Sequence, residues 1–253
     1  MSEELLIERS SGVCVVTFNR PEKKNALNAA MYHALTEAIV RADEDSQVRA
    51  VLVQANGDMF TAGNDVAEFA ALGDSDEELA AAGLIRALPR LQTPLVAAVQ
   101  GRAVGIGLTF LLHCDLVYVA EEALLSSPFV NLALVPEAAS SLLLPARIGH
   151  VRAFELFALG QSIDGRTAAA WGLANAALPA AEVQAKARAA AEALAQRPPA
   201  AVRVTKSLMR DAALLSARVE EELGHFAAQL KSPEAKEAFA AFFERRPADF
   251  SKF

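Results

Sequence analysis

Three short stretches of the chain hold the residues that could do chemistry together. They are FTAGND (60–65), GRAVGIG (101–107) and VPEAAS (135–140). In the first two, small residues follow an apolar segment, which lets backbone N–H groups approach a ligand oxygen. The third surrounds Glu137 with apolar and small neighbours, where burial would raise the pKa of the carboxyl group. Two backbone donors and one such carboxylate are the groups needed to remove a proton next to a carbonyl.

The first stretch places Ala62 and Gly63 directly before Asn64 and Asp65. A backbone N–H at this turn could donate to a ligand oxygen, because no bulky side chain blocks the approach. A plain turn from a strand into a helix, with Asn64 or Asp65 as the cap, explains the same residues. Both interpretations are open on the sequence alone.

The second stretch has Ile106 between Gly105 and Gly107, where an apolar strand pattern changes to an apolar helix pattern. The unpaired N–H groups of a first helical turn form a site for negative charge. The glycines could instead serve close packing of the helix against a sheet. A dinucleotide-binding fingerprint would need a third glycine at the position of Phe110, so it is not predicted.

Glu137 itself has two interpretations. In a buried loop it would be a general base or acid with a raised pKa. At the exposed start of the following helix it would be an ordinary acidic residue stabilised by the helix dipole. Neither is excluded by the residues around it.

The elements that must position these stretches alternate between strand and helix in the first half of the chain. Strands are predicted within 5–19, where two surround a Ser-Gly turn, and over 48–55, 93–101 and 115–127, with helices over 28–45, 74–92 and 104–114. Helices are predicted over 139–160, 164–173, 180–196, 198–216 and 218–246. Asn28 is the expected N-cap of the first helix. This alternation predicts an α/β fold with parallel strands joined by helices, followed by a mostly helical region.

Composition excludes several classes of function. The 253 residues carry a net charge of −7 and are 53% hydrophobic, which favours a packed globular protein and argues against nucleic acid as a partner. Cys14 and Cys114 lie in apolar runs and are predicted to be buried free thiols. His113 adjoins Cys114, but no second pair has the spacing of metal ligands, so no metal site is predicted.

The termini and apolar runs predict a bacterial cytoplasmic protein. No basic and apolar leader opens the chain, and no apolar run is long enough to predict a membrane span. The last residues, SKF, differ by one residue from the peroxisomal address SKL, but an ordinary C-terminus is the favoured interpretation.

Across almost its whole length the sequence resembles the crotonase superfamily, also called the enoyl-CoA hydratase/isomerase family. The resemblance is carried by the three stretches above and by FNRPEKKNALN (18–28), CDLVYVAEEALLSSPFVNLALVPE (114–137), LGQSIDGRTAAAWGLAN (159–175) and KSPEAKEAFAAFFERRPADF (231–250). It implies a spiral of ββα turns over 1–195 and a helical region over 196–253 that forms homotrimers or hexamers. It also implies an acyl-CoA thioester as substrate, with coenzyme A as part of that substrate and no separate cofactor.

The resemblance also assigns roles to residues. It implies that the N–H groups of Ala62 and Ile106 hold the thioester oxygen and that Glu137 is the catalytic carboxylate. The positions that it implies for substrate contact are Lys23, Lys24, Ala26, Gly63, Asn64, Asp65 and Phe129. For the two lysines a solvated surface role remains open, as does a cap for Asp65 and a core position for Phe129.

Two positions decide between activities within this family. Hydratases carry glutamates where this chain has Thr109 and Phe129. Adding water to a double bond needs a base for the water and an acid for the carbon, so their absence argues against hydration. With Glu137 alone, the chain is similar to the monofunctional Δ3,Δ2-enoyl-CoA isomerases of the peroxisomal type.

Other activities of the family are the alternatives. A related ring-epoxide isomerase carries Asp at the position of Glu137, so the acyl part of the substrate stays open. An acyl-CoA hydrolase would need a further carboxylate or an activating histidine, for which His113 and His150 are the candidates. A hydratase and a non-catalytic relative complete the alternatives.

Overall fold

A computed structural model of the protein describes residues 3–68 and 79–253. The strands within this part are β1 (Leu5–Ser10), β2 (Val13–Phe18), β3 (Ala50–Ala55), β4 (Leu95–Val99), β5 (Arg102–Val104), β6 (Leu116–Ala120), β7 (Leu124–Ser126), β8 (Ser162–Asp164) and β9 (Ala176–Leu178). The helices are α1 (Ala29–Glu44), α2 (Ala80–Ala87), α3 (Ile106–Leu111), α4 (Ser140–Ile148), α5 (His150–Leu159), α6 (Gly165–Ala170), α7 (Ala180–Ala195), α8 (Pro199–Leu208), α9 (Ala212–Leu230) and α10 (Pro233–Glu244). Short 3₁₀ turns cover Pro21–Lys23, Leu88–Arg90, Val130–Leu132 and Phe250–Lys252.

The strands form two sheets. The larger has the order β1-β2-β3-β4-β6-β9, with β1 and β2 antiparallel and the remaining neighbours parallel. The smaller has the order β5-β7-β8. The chain passes from β4 in the large sheet to β5 in the small one and then into α3, and it repeats this step through β6, β7 and α4. The predicted α/β fold with its spiral of ββα units and helical C-terminal region is therefore confirmed.

Burial explains why the central strands form. All six residues of β2 and all five of β4 are buried, which is typical of strands covered on both faces. Helix α7 packs against β3, β4 and β6 through a buried stripe of Val183, Ala187 and Ala191 at a spacing of four residues. Small side chains on that stripe let the helix lie close to the sheet.

The C-terminal helices return to the first half of the chain. Helix α9 contacts α2 and the 3₁₀ turn after it, while α10 contacts the 3₁₀ turn Val130–Leu132. They enclose a second, smaller group of buried apolar side chains that includes Phe129, Phe226 and Phe239. The segment that leads to Glu137 is thus bordered by the C-terminal helices.

Several predicted boundaries were wrong for local reasons. The run 115–127 is two strands in different sheets, and 139–160 is two helices separated at Gly149, whose φ of +83° ends α4. The predicted helix 198–216 ends at Leu208, and a new helix begins after Asp211, whose side chain accepts the Leu214 N–H.

Other parts of the predicted pattern were confirmed or incomplete. The strands around the Ser-Gly turn are β1 and β2, and Asn28 caps α1 by accepting the Met31 N–H at 2.8 Å. The short strands β5, β8 and β9 were not predicted. Of the predicted helix 74–92, residues 74–78 lie outside the described residues, and the rest contains α2 and a 3₁₀ turn.

Candidate active site

Glu137 lies in the loop between the 3₁₀ turn Val130–Leu132 and α4, and the residue is only 4% exposed. The Thr109 hydroxyl, from α3, is 2.5 Å from Glu137 Oε1. No atom of residues 3–68 or 79–253 forms a hydrogen bond with Oε2. The carboxyl group is therefore buried, with one oxygen held and the other without a hydrogen-bond partner among these residues.

This environment changes the proton affinity of Glu137. Burial raises the pKa of its carboxyl group to about 8, the Thr109 hydroxyl opposes the rise, and the negative charge of Glu222 adds to it. A base with a pKa close to neutral combines a usable deprotonated fraction with the strength to accept a proton from carbon. The burial excludes the exposed helix-end acid that was the other interpretation of the sequence.

Ile106 is the first residue of α3, and Gly105 before it has φ +57° and ψ −117°, a conformation suited to glycine. Within the described ranges, no group accepts a hydrogen bond from the Ile106 N–H. The other predicted role of this stretch is present too, because a Cβ on Gly107 would lie 2.6 Å from Thr61 Cγ2. The helix start thus provides one open donor and also packs closely.

Ala62 is placed differently from Ile106. Its N–H donates to the Lys24 carbonyl at 3.0 Å, so a ligand oxygen at Ala62 would have to share or displace this bond. Gly63 next to it has φ +90°, and a Cβ there would lie 2.8 Å from the Val104 carbonyl oxygen. Only glycine allows this close approach between the 60–65 turn and the end of β5.

A cleft of about 820 Å³ brings most of the predicted contact residues together. The predicted contact residues that line this cleft are Lys23, Ala26, Ala62, Gly63, Asn64, Asp65 and Phe129. A small inner pocket lined by Glu137 and Ile106 adjoins it, because Asn64 and Phe226 border both cavities. The carboxylate and the open N–H donor therefore lie together beyond the inner end of the cleft.

Phe129 serves both roles considered for it in the sequence. It is 5% exposed and packs edge-on against Phe226, with ring centroids 6.3 Å apart, and it also lines the cleft. Its aromatic side chain occupies the position where the family resemblance implies a glutamate in hydratases. The wall of the cleft at this point is apolar.

Two predicted contact residues have other partners. The exposed Lys24 side chain forms an ion pair with Asp58 at 2.8 Å and is not among the described residues that line the cleft. Asp65 pairs with Arg20 at 3.0 Å and accepts the Ala67 N–H at 3.2 Å, which is the capping role considered for it. Lys23 is exposed and lines the cleft.

Sequence reasoning missed residues that reach the site from distant parts of the chain. Tyr32, on α1, lines the inner pocket and donates from its hydroxyl to Asn64 Oδ1. Burial raises the pKa of Tyr32 well above its usual value, and the charge of Glu137 raises it further. Phe242, in the last turn of α10, and Arg246, two residues after that helix, line the cleft. No local pattern marks these residues, because only the fold brings them to the site.

The two histidines considered for hydrolysis are not placed for it. His113 is buried, its Nε2–H donates to the Ala138 carbonyl at 2.6 Å, and its Nδ1 accepts from Arg210 at 2.8 Å. Burial and the nearby cations lower the pKa of His113 to about 3. His150 stacks on Phe154 at the start of α5. Both ring nitrogens of His113 are thus engaged, one with a backbone carbonyl and the other with the Arg210 side chain.

Metal ligands, cysteines and apolar helices are the remaining features that bear on function. In the part of the chain that the structure describes, no cluster of three His, Cys, Asp or Glu side chains is arranged to hold a metal ion. Cys14 and Cys114 are buried free thiols, as predicted. Among the described helices, none combines the length and apolar character that a membrane span needs.

Comparisons with known proteins identify the class to which this fold and site belong. The family model "Enoyl-CoA hydratase/isomerase" matches residues 8–252. The chain therefore belongs to the enoyl-CoA hydratase/isomerase family, which confirms the resemblance to the crotonase superfamily.

Individual relatives carry both activity names. The chain is similar to enoyl-CoA delta isomerase 2 of Rattus norvegicus, with 34% identity over 97% of this chain and 65% of that protein. It thus spans just under two thirds of that relative. It is also similar to the probable enoyl-CoA hydratase echA8 of Mycobacterium bovis, with 31% identity over 98% of each chain. A crystal structure of an enoyl-CoA hydratase/isomerase from Pseudoalteromonas atlantica T6c superposes with a TM-score of 0.93 at 41% identity, covering 98% of this chain and 100% of that one.

Proposed function

We propose that the protein is an enoyl-CoA isomerase that moves a double bond from C3 to C2 of an acyl-CoA thioester. The observation that carries this proposal is that Glu137 is the one carboxylate among the described residues lining the inner pocket. Family membership supports an acyl-CoA substrate, and the cleft beside the pocket provides room for one.

Isomerisation requires one group that removes a proton and returns it elsewhere. Glu137 would take a proton from C2 of a 3-enoyl-CoA, which leaves negative charge on the thioester oxygen as an enolate. The same carboxylic acid would then give the proton to C4, so the base is regenerated and no water is consumed. A pKa raised to about 8 suits both steps, because the group can exist in either form near neutral pH.

The enolate needs donors where its charge develops. The Ile106 N–H at the start of α3 is open for this role, and the Ala62 N–H would join it if the substrate oxygen replaces the Lys24 carbonyl. Each such donor typically contributes about 2.7–4 kcal/mol to lowering the barrier.

The surroundings of Glu137 argue for isomerisation over hydration. Adding water needs a second group that can ionise, placed to work with the first. The hydratase positions hold Thr109, which contacts Glu137 Oε1, and Phe129, which packs against Phe226. Neither side chain can supply or accept the second proton at neutral pH.

The direct test is to incubate the purified protein with trans-3-hexenoyl-CoA and follow formation of 2-hexenoyl-CoA. Glu137→Gln is the loss-of-function variant, because it keeps the shape of the side chain and removes the base. Glu221→Gln is the matched control, since Glu221 is exposed on α9. We expect turnover by the wild type and the control only.

Crotonyl-CoA with the same preparations measures hydration. An inactive wild type, or full activity in Glu137→Gln, would refute the isomerase proposal. Turnover of crotonyl-CoA at a rate comparable to isomerisation would refute the argument from Thr109 and Phe129.

Assembly and location remain predictions. A homotrimer or hexamer is expected, and sedimentation of the purified protein measures it. A bacterial cytoplasmic location is expected, and fractionation of the source cells would test it.

A further inference from the structure

The backbone that follows Glu137 adopts an uncommon conformation. Ala138 has φ +60° and Ala139 has φ +54°, so two consecutive non-glycine residues occupy the left-handed region. Such residues persist only where the surrounding structure holds them. The loop that presents Glu137 therefore depends on contacts made by its neighbours.

One of these contacts comes from Glu222, on α9. Its Oε2 accepts the Ala139 N–H at 2.5 Å, and its Oε1 accepts the Ser141 N–H at 3.0 Å. Ala139 occupies the N-cap position of α4, where its own side chain cannot accept a hydrogen bond. Glu222, which is 5% exposed, thus supplies the cap from a helix more than 80 residues further along the chain.

The other contact is made with the carbonyl side of the peptide group between Ala138 and Ala139, whose N–H is held by Glu222. His113 donates from Nε2 to the Ala138 carbonyl, and Arg210 fixes this tautomer by donating to Nδ1. One donor and one acceptor therefore hold the peptide group between Ala138 and Ala139 from both sides. Of the two, only the carboxylate of Glu222 also places a charge near Glu137.

We propose that Glu222 is a positioning residue for catalysis: it holds the loop so that the Glu137 carboxyl group stays against Thr109 and the inner pocket. The inference rests on the proposed function of Glu137 as the base. Precise placement matters because a displacement of about 1 Å at a reacting group can cost about 100-fold in rate. Glu222 does not line either cavity, so it acts through the loop and not on the substrate.

The charge of Glu222 provides a readout that a purely structural cap would lack. Glu137 faces Glu222 from α9 and Tyr32 from α1, while the neutral His113 lies beside its loop. Arg218 attracts Glu222 from the same helix. Because the negative charge of Glu222 raises the pKa of Glu137, its removal lowers that pKa. The acid limb of the rate profile then moves to lower pH.

Glu222→Gln is the informative substitution, because the amide has one acceptor oxygen and leaves one of the two N–H groups without a partner. Glu155→Gln, at an exposed glutamate on α5, is the matched control. We expect kcat for the isomerase assay to fall by about 10- to 100-fold in Glu222→Gln, with KM changed less than about two-fold. The acid limb of its pH–rate profile moves to lower pH, and the amides of Ala139 and Ser141 exchange faster with deuterium.

A second variant separates the charge from the geometry. Glu222→Asp keeps the charge but is one carbon shorter, so we expect a lower kcat with the acid limb near its wild-type position. It also serves if Glu222→Gln fails to fold. Wild-type kcat and pH profile in Glu222→Gln, in an enzyme that Glu137→Gln inactivates, would overturn the inference. If Glu137→Gln remains active, the proposed function fails, and the amide exchange still decides whether Glu222 holds the loop.

Discussion

Replacing Glu137 by Gln should stabilise the protein relative to the wild type, and this difference in the free energy of unfolding should grow as the pH rises. The buried carboxyl group has a pKa of about 8, against 4.5 for an unperturbed glutamate. Because the folded-state pKa is raised, the folded protein favours the protonated form. The contribution of this group is fully present below the unfolded pKa and is lost as pH rises through the folded pKa.

The size of the effect follows from the same shift. Three to four pKa units at about 1.36 kcal/mol each predict that the wild type loses on the order of 4–5 kcal/mol between about pH 4.5 and pH 8.5. This is an upper limit, because rearrangement or water entry around the charged form reduces it. Glutamine does not titrate, so the variant escapes the loss.

The assay is urea unfolding of wild type and Glu137→Gln at one protein concentration, from about pH 4.5 to pH 9. Subtracting the two free energies of unfolding at each pH cancels the other titrating groups. We expect the difference to rise in favour of the variant across this range, while Glu221→Gln minus wild type stays flat. A flat difference for Glu137→Gln would show an unperturbed pKa. A difference that falls with pH would mean that the site stabilises the anion, and either result refutes the reasoning.

Three further predictions concern catalysis and packing. The value of kcat/KM for isomerisation should rise with pH up to about 8, because Glu137 must lose its proton to act. A pH–rate profile whose acid limb lies near pH 4.5 would contradict the raised pKa of Glu137. Ile106→Pro removes the open N–H at a helix position that tolerates proline, and it should lower kcat about 100- to 1,000-fold. Ile106→Ala keeps the N–H and should not lower kcat in this way. Equal rates for the two variants would exclude this donor. Gly63→Ala should lower the free energy of unfolding by about 1–3 kcal/mol in a denaturant titration, since its Cβ would lie 2.8 Å from the Val104 carbonyl oxygen; an unchanged midpoint would contradict that crowding.

Local sequence determined the features whose causes lie within a few residues. The hairpin of β1 and β2, the Asn28 cap of α1 and the helix start at Ile106 each depend on neighbouring residue types. The same holds for the apolar surroundings of Glu137 along the chain. Patterns of this kind predicted the α/β fold and the three stretches of the site, because hydrogen bonding in turns and caps is short-range.

Tertiary structure decided what those stretches do. Whether Glu137 was an exposed acid or a buried base depended on Thr109, 28 residues earlier, and on Glu222, on α9. Tyr32 reaches the site from α1 and Arg246 from the segment after α10, which no local pattern indicates. The pKa of a carboxyl group depends on burial and on charges that are near in space. Only the packing of distant helices around the loop determines those, and so only the folded chain could distinguish the two interpretations of Glu137.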